Sequence, residues 1–248
     1  MRSSRSVAVG MLLLVVIPCP SVSLASDFVR SHPDLPTLAG EIQRIVLLPP
    51  RLAMYEIGAG GTLERMEDWT ATAEANVIQA VQSQTGRFDN LRFALFDEQT
   101  SSESVRKNYD ETRALYDLIN ATVLTHTYDP KRLGYFPEKV RDFRYSLGAE
   151  MQALAPDADA FFLIEGFDQR SSSGRKALRA GAMVVGAVFG VVPVPRRGAN
   201  LLTVALVKAN TGEVLWFYRS MRPYDLRQAA DASQFATDFW SALPTLGK

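Results

Sequence analysis

The chain has 248 residues, of which 47% are hydrophobic and 22% are charged, with 27 basic and 27 acidic side chains. These proportions are typical of a globular protein and exclude bulk disorder, which needs fewer apolar residues and an excess of one charge. The formal net charge is zero, whereas electrostatic binding of nucleic acid requires a basic surplus. We therefore expect no nucleic-acid partner.

The first residues have the layout of a secretory signal peptide. Arg2 and Arg5 form a short basic region, and residues 7–17 are a continuous apolar run. Residues 23–25 then supply small side chains at the positions that a signal peptidase reads. The apolar run is shorter than the ~20 residues of a membrane-spanning helix. We expect residues 1–25 to be removed and the protein to be exported to the bacterial periplasm.

Cys19 leaves a second form of the N-terminus open. A lipid on this cysteine would tether the protein to the outer membrane, although Pro18 stands where a lipobox carries a small residue. Cleavage after Ala25 would instead remove the only cysteine of the chain. That form has no thiolate for catalysis or for a structural zinc site.

The first half of the remaining chain predicts an arm, two strands and two helices. Pro33, Pro36 and Gly40 predict an extended N-terminal arm over residues 26–43. Apolar runs, helical spacing and glycine positions then predict, in order, a strand at 45–48, a flexible loop at 58–61, a helix from 66 to 81, a strand at 92–96 and a helix from 105 to 123.

The second half predicts a further helix, a strand, a hairpin and a last helix. After a polar turn at 125–136, we expect a helix between Pro137 and Pro156 with Phe143, Leu147 and Met151 on one face. The next expected elements are a strand at 160–167, a hairpin of strands 201–207 and 214–218 around residues 210–212, and a short helix from 235 to 243. This order predicts one α/β domain over 44–248, with a mixed sheet of about five strands covered by helices and an apolar insertion at 177–195.

Three segments resemble a known group of bacterial envelope proteins. Residues 44–50 (RIVLLPP), 158–166 (ADAFFLIEG) and 210–216 (NTGEVLW) are similar to motifs of the superfamily that contains the curli-secretion-channel lipoprotein and the penicillin-binding-protein activator. That superfamily resembles the N-terminal domain of TolB. The resemblance implies an accessory role in the cell envelope and no catalytic residues. Long alternating hairpins of the kind that form a secretion barrel are missing here, so channel formation is not implied.

The glycine-rich loop at Gly58, Gly60 and Gly61 follows a predicted strand, as phosphate-binding loops do. However, Leu63 stands at the position of the third glycine of the dinucleotide motif, and no Walker lysine follows. We interpret the loop as a hinge or a partner contact. The sequence predicts no cofactor and no metal site.

Carboxylates at predicted strand ends are the basis of an alternative function, that of an enzyme. Asp97 and Glu98 end one strand, and Glu165 and Asp168 end another. Because the carboxyl ends of parallel strands line the ligand crevice, these acids could converge as a glycosidase pair. The alternative function is therefore a periplasmic hydrolase acting on glycans, whereas the main prediction contains no catalytic residue.

The segment from 180 to 195 is uncharged, apolar and bordered by arginines. A helix here would align Ala182, Gly186 and Gly190 as a seam of small residues. Basic flanks of this kind suit a partner surface or anionic lipid headgroups. The candidate contact residues are Arg179, Ala182, Gly186, Phe189, Gly190, Arg196 and Arg197. The alternative is that the segment folds onto the protein's own sheet as core.

These observations predict a non-enzymatic accessory protein of the cell envelope. Its expected partners are another envelope protein, a second copy of itself or the membrane surface. The expected contact regions are the apolar segment and the Gly58–Gly61 loop.

Overall fold

The computed structural model describes residues 27–58, 60–87, 90–127, 137–172 and 199–246. Its strands are β1 (Phe28–Ser31), β2 (Arg44–Leu47), β3 (Arg51–Ile57), β4 (Leu63–Arg65), β5 (Arg92–Leu95), β6 (Ala160–Ser171), β7 (Asn200–Lys208) and β8 (Val214–Ser220). Its helices are α1 (Leu35–Leu38), α2 (Glu67–Gln84), α3 (Glu103–Thr127), α4 (Pro137–Arg141) and α5 (Ala229–Ala242).

A single mixed sheet organises the domain, with the long strand β6 near its centre. One edge of β6 pairs antiparallel with β7, and β8 and then β1 extend the sheet on that side. The other edge pairs parallel with β2 and then with β3. Proline has no amide hydrogen, so the chain leaves the ladder at Pro49 and Pro50 and rejoins it at Arg51. The pairings of β5 with β2 and of β4 with β3 complete this side.

Helices cover both faces of the sheet because β6 is apolar on both. Phe162 and Ile164 point into a core closed by α2 and α5. Phe161 and Leu163 point into the opposite core, beneath α3. A strand buried on both faces is typical of a layered α/β domain. The predicted mixed α/β class is thus confirmed, although the described residues form eight strands where the sequence predicted about five.

The N-terminal segment differs from its prediction. In place of an extended arm, β1 pairs with β8 as the edge strand of the sheet, and Leu35 and Ile42 are buried in the core beside α2 and α5. Of the prolines that suggested an arm, Pro33 lies between a short strand and a helical turn, and Pro36 lies in the first turn of that helix. The described part of residues 26–43 therefore belongs to the domain.

The helix predicted between Pro137 and Pro156 is wrong as a single element. Helix α4 ends at Arg141, and residues 149–154 form a separate 3-10 helix. Gly148, with φ of 88°, lies between these segments. The backbone of Tyr145 and Leu147 instead pairs with the β7–β8 hairpin. The spacing suggested one helix because all four apolar side chains are buried, but Phe143 and Leu147 lie in irregular backbone, and Met151 and Leu154 lie in the 3-10 helix.

The other long elements lie where the sequence predicted them. Helices α2 and α3 and strands β2, β5, β7 and β8 match their predicted ranges within a few residues, whereas α5 begins at Ala229, well before the predicted start at 235. Gly212 adopts the left-handed conformation, with φ of 68°, that the hairpin requires. Strands β3 and β4 were not predicted, because Pro49-Pro50 and the glycine loop favoured irregular structure.

Within the described ranges, no helix combines the length and the apolar character needed to cross a membrane. The predicted signal segment 1–25 and the insertion 177–195 lie outside those ranges. The contact residues predicted between 179 and 197 therefore stay predictions.

Candidate functional site

A row of polar side chains crosses the sheet on the face that α3 covers. The strand register places Arg51 of β3 beside Glu165 of β6, Glu165 beside Thr203 of β7, and Thr203 beside Arg219 of β8. Alternation along β6 puts Glu165 on the same face as Leu163, directly after the apolar core. The row therefore marks the point where this face changes from apolar to polar.

Helix α3 fixes the carboxyl group of Glu165 from above. Asn120 Nδ2 donates hydrogen bonds to Glu165 Oε2 at 3.0 Å and to Thr203 Oγ1 at 3.3 Å. Thr203 Oγ1 in turn donates to the backbone oxygen of Glu165 at 3.3 Å. These contacts hold the carboxyl group in one orientation with one of its oxygens bonded.

Two arginines approach the other carboxyl oxygen without forming a hydrogen bond to it. Nη1 of Arg51 and Nη1 of Arg113 each lie 3.8 Å from Glu165 Oε1. Arg51 Nη1 donates instead to both carboxyl oxygens of Asp117, each at 3.0 Å. Arg113 donates to the backbone oxygen of Pro49 and, through Nε, to the Tyr109 hydroxyl at 3.2 Å. Glu165 Oε1 is thus flanked by cations yet has no hydrogen-bond partner among the described residues.

Burial dominates the protonation of Glu165. The residue is only 8% exposed, and this burial raises the pKa of its carboxyl group to about 7. The hydrogen bond from Asn120 and the positive charges of Arg113 and Arg51 oppose that rise, and Asp117 adds to it. The group consequently exchanges its proton near neutral pH, where an ordinary carboxyl group is fully ionised.

Glu165 lies at the polar end of a cavity of about 540 Å³. Beyond the polar row, the same face of the sheet continues through half-buried side chains of β3, β6 and β7. The apolar and aromatic residues that line this part are Ala53, Tyr55, Leu63, Phe167 and Leu201. The polar residues at the other end are Arg51, Asp117, Asn120, Glu165 and Thr203, whereas the polar residue Gln169 lies beside Tyr55 in the strand register. The cavity is amphipathic, and its volume falls within the ~300–1,000 Å³ of small-molecule sites.

A second cavity of about 370 Å³ adjoins the first. Arg51 and Asp117 line both, so their ion pair lies at the boundary between them. Arg113 and Tyr109 line only the second. Arg51 and Asp117 are each 47% exposed, so their contact is a surface ion pair. Such a pair is weak and separates the two cavities only loosely.

The structure separates the four acids that were expected to converge. Asp168 lies on the opposite face of β6, where it forms an ion pair with Arg170, and burial raises the pKa of its carboxyl group. Asp97 and Glu98 follow β5, at the far side of β2. The backbone amide of Thr100 lowers the pKa of Asp97, which forms a turn at the start of the next segment. Of the four, only Glu165 lines the cavity.

The predicted glycine loop joins β3 to β4 as a hairpin turn. Gly58 accepts a hydrogen bond from the amide of Gly61 at 3.0 Å, and Gly61 has φ of 87°. A Cβ atom added at Gly60 would meet no heavy atom within 4 Å. The loop leads into Leu63, which is 52% exposed and lines the cavity. The loop therefore borders the site through β4.

Sequence reasoning missed Arg51, Arg113, Asp117 and Asn120. Arg51 was missed because it lies in β3, a strand that was not predicted since Pro49 and Pro50 precede it. The other three lie on α3, and a usable signal was present there. Arg113 follows Tyr109 by four residues and Asn120 follows Tyr116 by four, so both polar residues continue the buried stripe of the helix. Among the described residues, no group of His, Cys, Asp or Glu side chains is arranged to hold a metal ion.

No protein-family model matches the chain, and no curated protein matches it. Among solved structures, the chain is similar to a point variant of the PelC dodecamer from Paraburkholderia phytofirmans, with 10% identity, a TM-score of 0.37, and coverage of 91% of this chain and 100% of that one. A second crystal form of the PelC dodecamer from the same organism has 8% identity, a TM-score of 0.35, and coverage of 88% and 96%. Likeness at this level carries no argument about the function of this chain.

Proposed function

We propose that the protein is an exported accessory protein of the bacterial cell envelope that acts by binding rather than by catalysis. The N-terminal pattern of residues 1–25 and the envelope-type motifs at 44–50, 158–166 and 210–216 support the location. One structural observation supports binding: Glu165 lines the polar end of an open, amphipathic cavity, and its buried oxygen Oε1 has no hydrogen-bond partner among the described residues. Such an atom is typical of a site that a ligand or ordered water completes.

The surroundings of Glu165 suit recognition. Asn120, which also donates to Thr203, holds the carboxyl group in place, and Arg51 and Asp117 are already paired with each other. Rigid polar groups beside an apolar lining give orientation and affinity to a bound molecule. The segment 180–195 and the Gly58–Gly61 loop remain the proposed contacts with an envelope partner, a second copy or the membrane surface.

The first test is the intact mass of the protein recovered from the envelope fraction of the producing cell. A mass that begins at Ser26, without modification, supports a free periplasmic protein. A mass that begins at Cys19 with acyl chains supports a tethered one. Recovery of the full chain from the cytosol, beginning at Met1, would overturn the envelope assignment.

A periplasmic hydrolase is the second candidate, and one observation favours it. Asp117 and Glu165 both approach the same nitrogen, Arg51 Nη1, at 3.0 and 3.8 Å, so two carboxyl groups share one end of the cavity. One of them has a pKa raised to about 7, which suits a general acid. This pair replaces the strand-end acids of the sequence-based alternative.

Variants at Glu165 separate the two candidates. Glu165→Gln would abolish hydrolysis of glycan substrates by a hydrolase, because the amide cannot donate the proton. The same variant would leave intact the association of an accessory protein with an envelope partner, because that contact is assigned to the segment 180–195 and the Gly58–Gly61 loop and not to Glu165. Asp97→Asn, remote from the cavity, is the control for general effects of removing an acid.

A further inference from the structure

Two residues that line the cavity carry buried polar atoms whose hydrogen bonding is incomplete. Glu165 Oε1 and Asn120 Oδ1 have no hydrogen-bond partner among the described residues. Both residues line the cavity, and Glu165 is more than nine-tenths buried. Arg51 uses only Nη1 for its two ion pairs, so its other nitrogens are available as donors. A ligand at this end must therefore both donate and accept hydrogen bonds.

The charges around these atoms select against charged ligands. Arg51 and Arg113 lie beside Glu165, and Asp117 is paired with Arg51. The guanidinium and carboxyl groups largely offset each other, so neither a cation nor an anion finds a strong net opposite charge to offset the loss of its hydration. A hydroxyl group meets no such objection, since it is uncharged and combines a donor with two acceptor lone pairs.

The remainder of the cavity is apolar and partly aromatic. Tyr55 and Phe167 project from neighbouring strands on the same face, with Ala53 and Leu201 beside Phe167 in the register. A pyranose ring has an apolar face of C–H groups and a rim of hydroxyl groups, so it matches aromatic side chains on one side and planar polar groups on the other. The volume of about 540 Å³ suits a ligand of this size.

We propose that the cavity binds an uncharged saccharide of one or two rings. Its hydroxyl groups bond to Glu165, Asn120 and Arg51, and the C–H face of a ring lies against Phe167 and Tyr55. This inference rests on the proposed binding function and adds the chemical class of the ligand.

Calorimetric titration of the purified protein tests the ligand class. The probes are the neutral disaccharides maltose, cellobiose and N,N′-diacetylchitobiose, with glucosamine as the cationic and glucuronate as the anionic comparator. We expect at least one neutral disaccharide to bind more tightly than both charged sugars. Absence of binding by all three neutral disaccharides, or tighter binding of a charged sugar, would overturn the proposal.

Matched variants locate the binding. Glu165→Gln and Tyr55→Leu are each expected to weaken binding of the neutral disaccharide by roughly tenfold or more, because each removes one type of contact. Tyr55 is half-buried, so its variant also covers the case in which the Glu165 variant does not fold. Asp97→Asn is expected to leave the dissociation constant unchanged. Equal affinities of the native protein and the three variants for the disaccharide would place the saccharide elsewhere and refute the site.

The same samples distinguish failure of this inference from failure of the proposed function. Chromatography after long incubation shows whether the bound disaccharide is cleaved. Cleavage would refute non-catalytic binding while upholding the saccharide class. Envelope association without any saccharide binding would uphold the proposed function and refute the ligand class.

Discussion

At the scale of single residues, Glu165 shows how position on a strand decides chemistry. In sequence it is one of 27 acidic side chains. In the fold it follows Leu163 on the face beneath α3, where burial outweighs the two nearby arginines and raises the pKa of its carboxyl group to about 7. A surface acid would have kept its ordinary pKa.

The raised pKa of Glu165 predicts a definite dependence of stability on pH. Between its ordinary pKa of 4.5 and about 7, the folded protein holds a proton that the unfolded chain has released. The free energy of unfolding therefore falls as pH rises through this window, by on the order of 3 kcal/mol at most from this group. Glu165→Gln removes this dependence, so the variant should match the native protein near pH 5 and exceed its stability near pH 8.

Urea unfolding at several pH values between those limits measures the difference. Asp97→Asn is the control, because the lowered pKa of Asp97 keeps that acid ionised over the whole window. The control is expected to run parallel to the native protein. If Glu165→Gln also ran parallel, the carboxyl group of Glu165 would have an ordinary pKa.

Gly166, next to Glu165 on β6, is required by the close approach of β7. A Cβ atom there would lie 2.3 Å from the backbone oxygen of Leu201. Gly166→Ala is expected to lower the free energy of unfolding by about 1–3 kcal/mol or more, because the clash is with backbone. Gly86→Ala is the matched control, since its Cβ would meet no atom within 4 Å; we expect a change below about 1 kcal/mol. Equal effects in chemical denaturation would contradict this account.

At the scale of elements, the N-terminal segment and α3 both acquire their roles through packing. Residues 27–43 contain prolines that predicted an arm, yet β1 closes the edge of β8 and Leu35 is buried. Helix α3 was predicted from its apolar stripe, but the stripe also carries the polar residues that meet Glu165. Both outcomes depend on neighbours distant in sequence.

Leu35→Ala tests whether the N-terminal segment belongs to the core. Leu35 is 1% exposed, so its truncation should cost about 2–5 kcal/mol of unfolding free energy. Leu118→Ala is the matched control, because Leu118 is 67% exposed on α3 and its truncation should change stability by only about 0.5 kcal/mol. Thermal or urea unfolding gives both values. A Leu35 variant as stable as the Leu118 variant would instead support the extended arm that the sequence predicted.

At the scale of the whole molecule, the sheet is the rigid part to which the cavity is fixed. Strands β7 and β8 and the first half of β6 are inside the sheet and covered on both faces, whereas β1, β4 and β5 form its edges. The cavity therefore has a rigid wall of β6 and β7 and a more exposed rim at β4.

Hydrogen exchange followed by mass spectrometry should reproduce this gradient. The slowest amides are expected in β6–β8, because their exchange requires global unfolding, and faster exchange is expected in β4 and β5. A neutral disaccharide bound in the cavity should slow exchange in β3 and β4 most. Uniform exchange across all strands would contradict a layered core centred on β6.

Much of the fold could be predicted from the sequence because its signals are local. The periodicity of α2, α3 and α5, the apolar runs of β2 and β6, and the hairpin at Gly212 depend on residues close along the chain. These were enough for the mixed α/β class. They failed between Pro137 and Pro156, where the buried apolar residues at helical spacing lie partly in irregular backbone that pairs with a distant hairpin and partly in a 3-10 helix.

The candidate site was decided by the tertiary structure. Arg51 and Glu165 lie about half the chain apart, Thr203 follows Glu165 by 38 residues, and only the strand register places the three in one row. The sequence grouped Glu165 with Asp168, but alternation along β6 puts these carboxyl groups on opposite faces. Local spacing determines which elements form; pairing of distant strands determines which side chains meet, because side-chain contacts across a sheet depend on register rather than on separation along the chain.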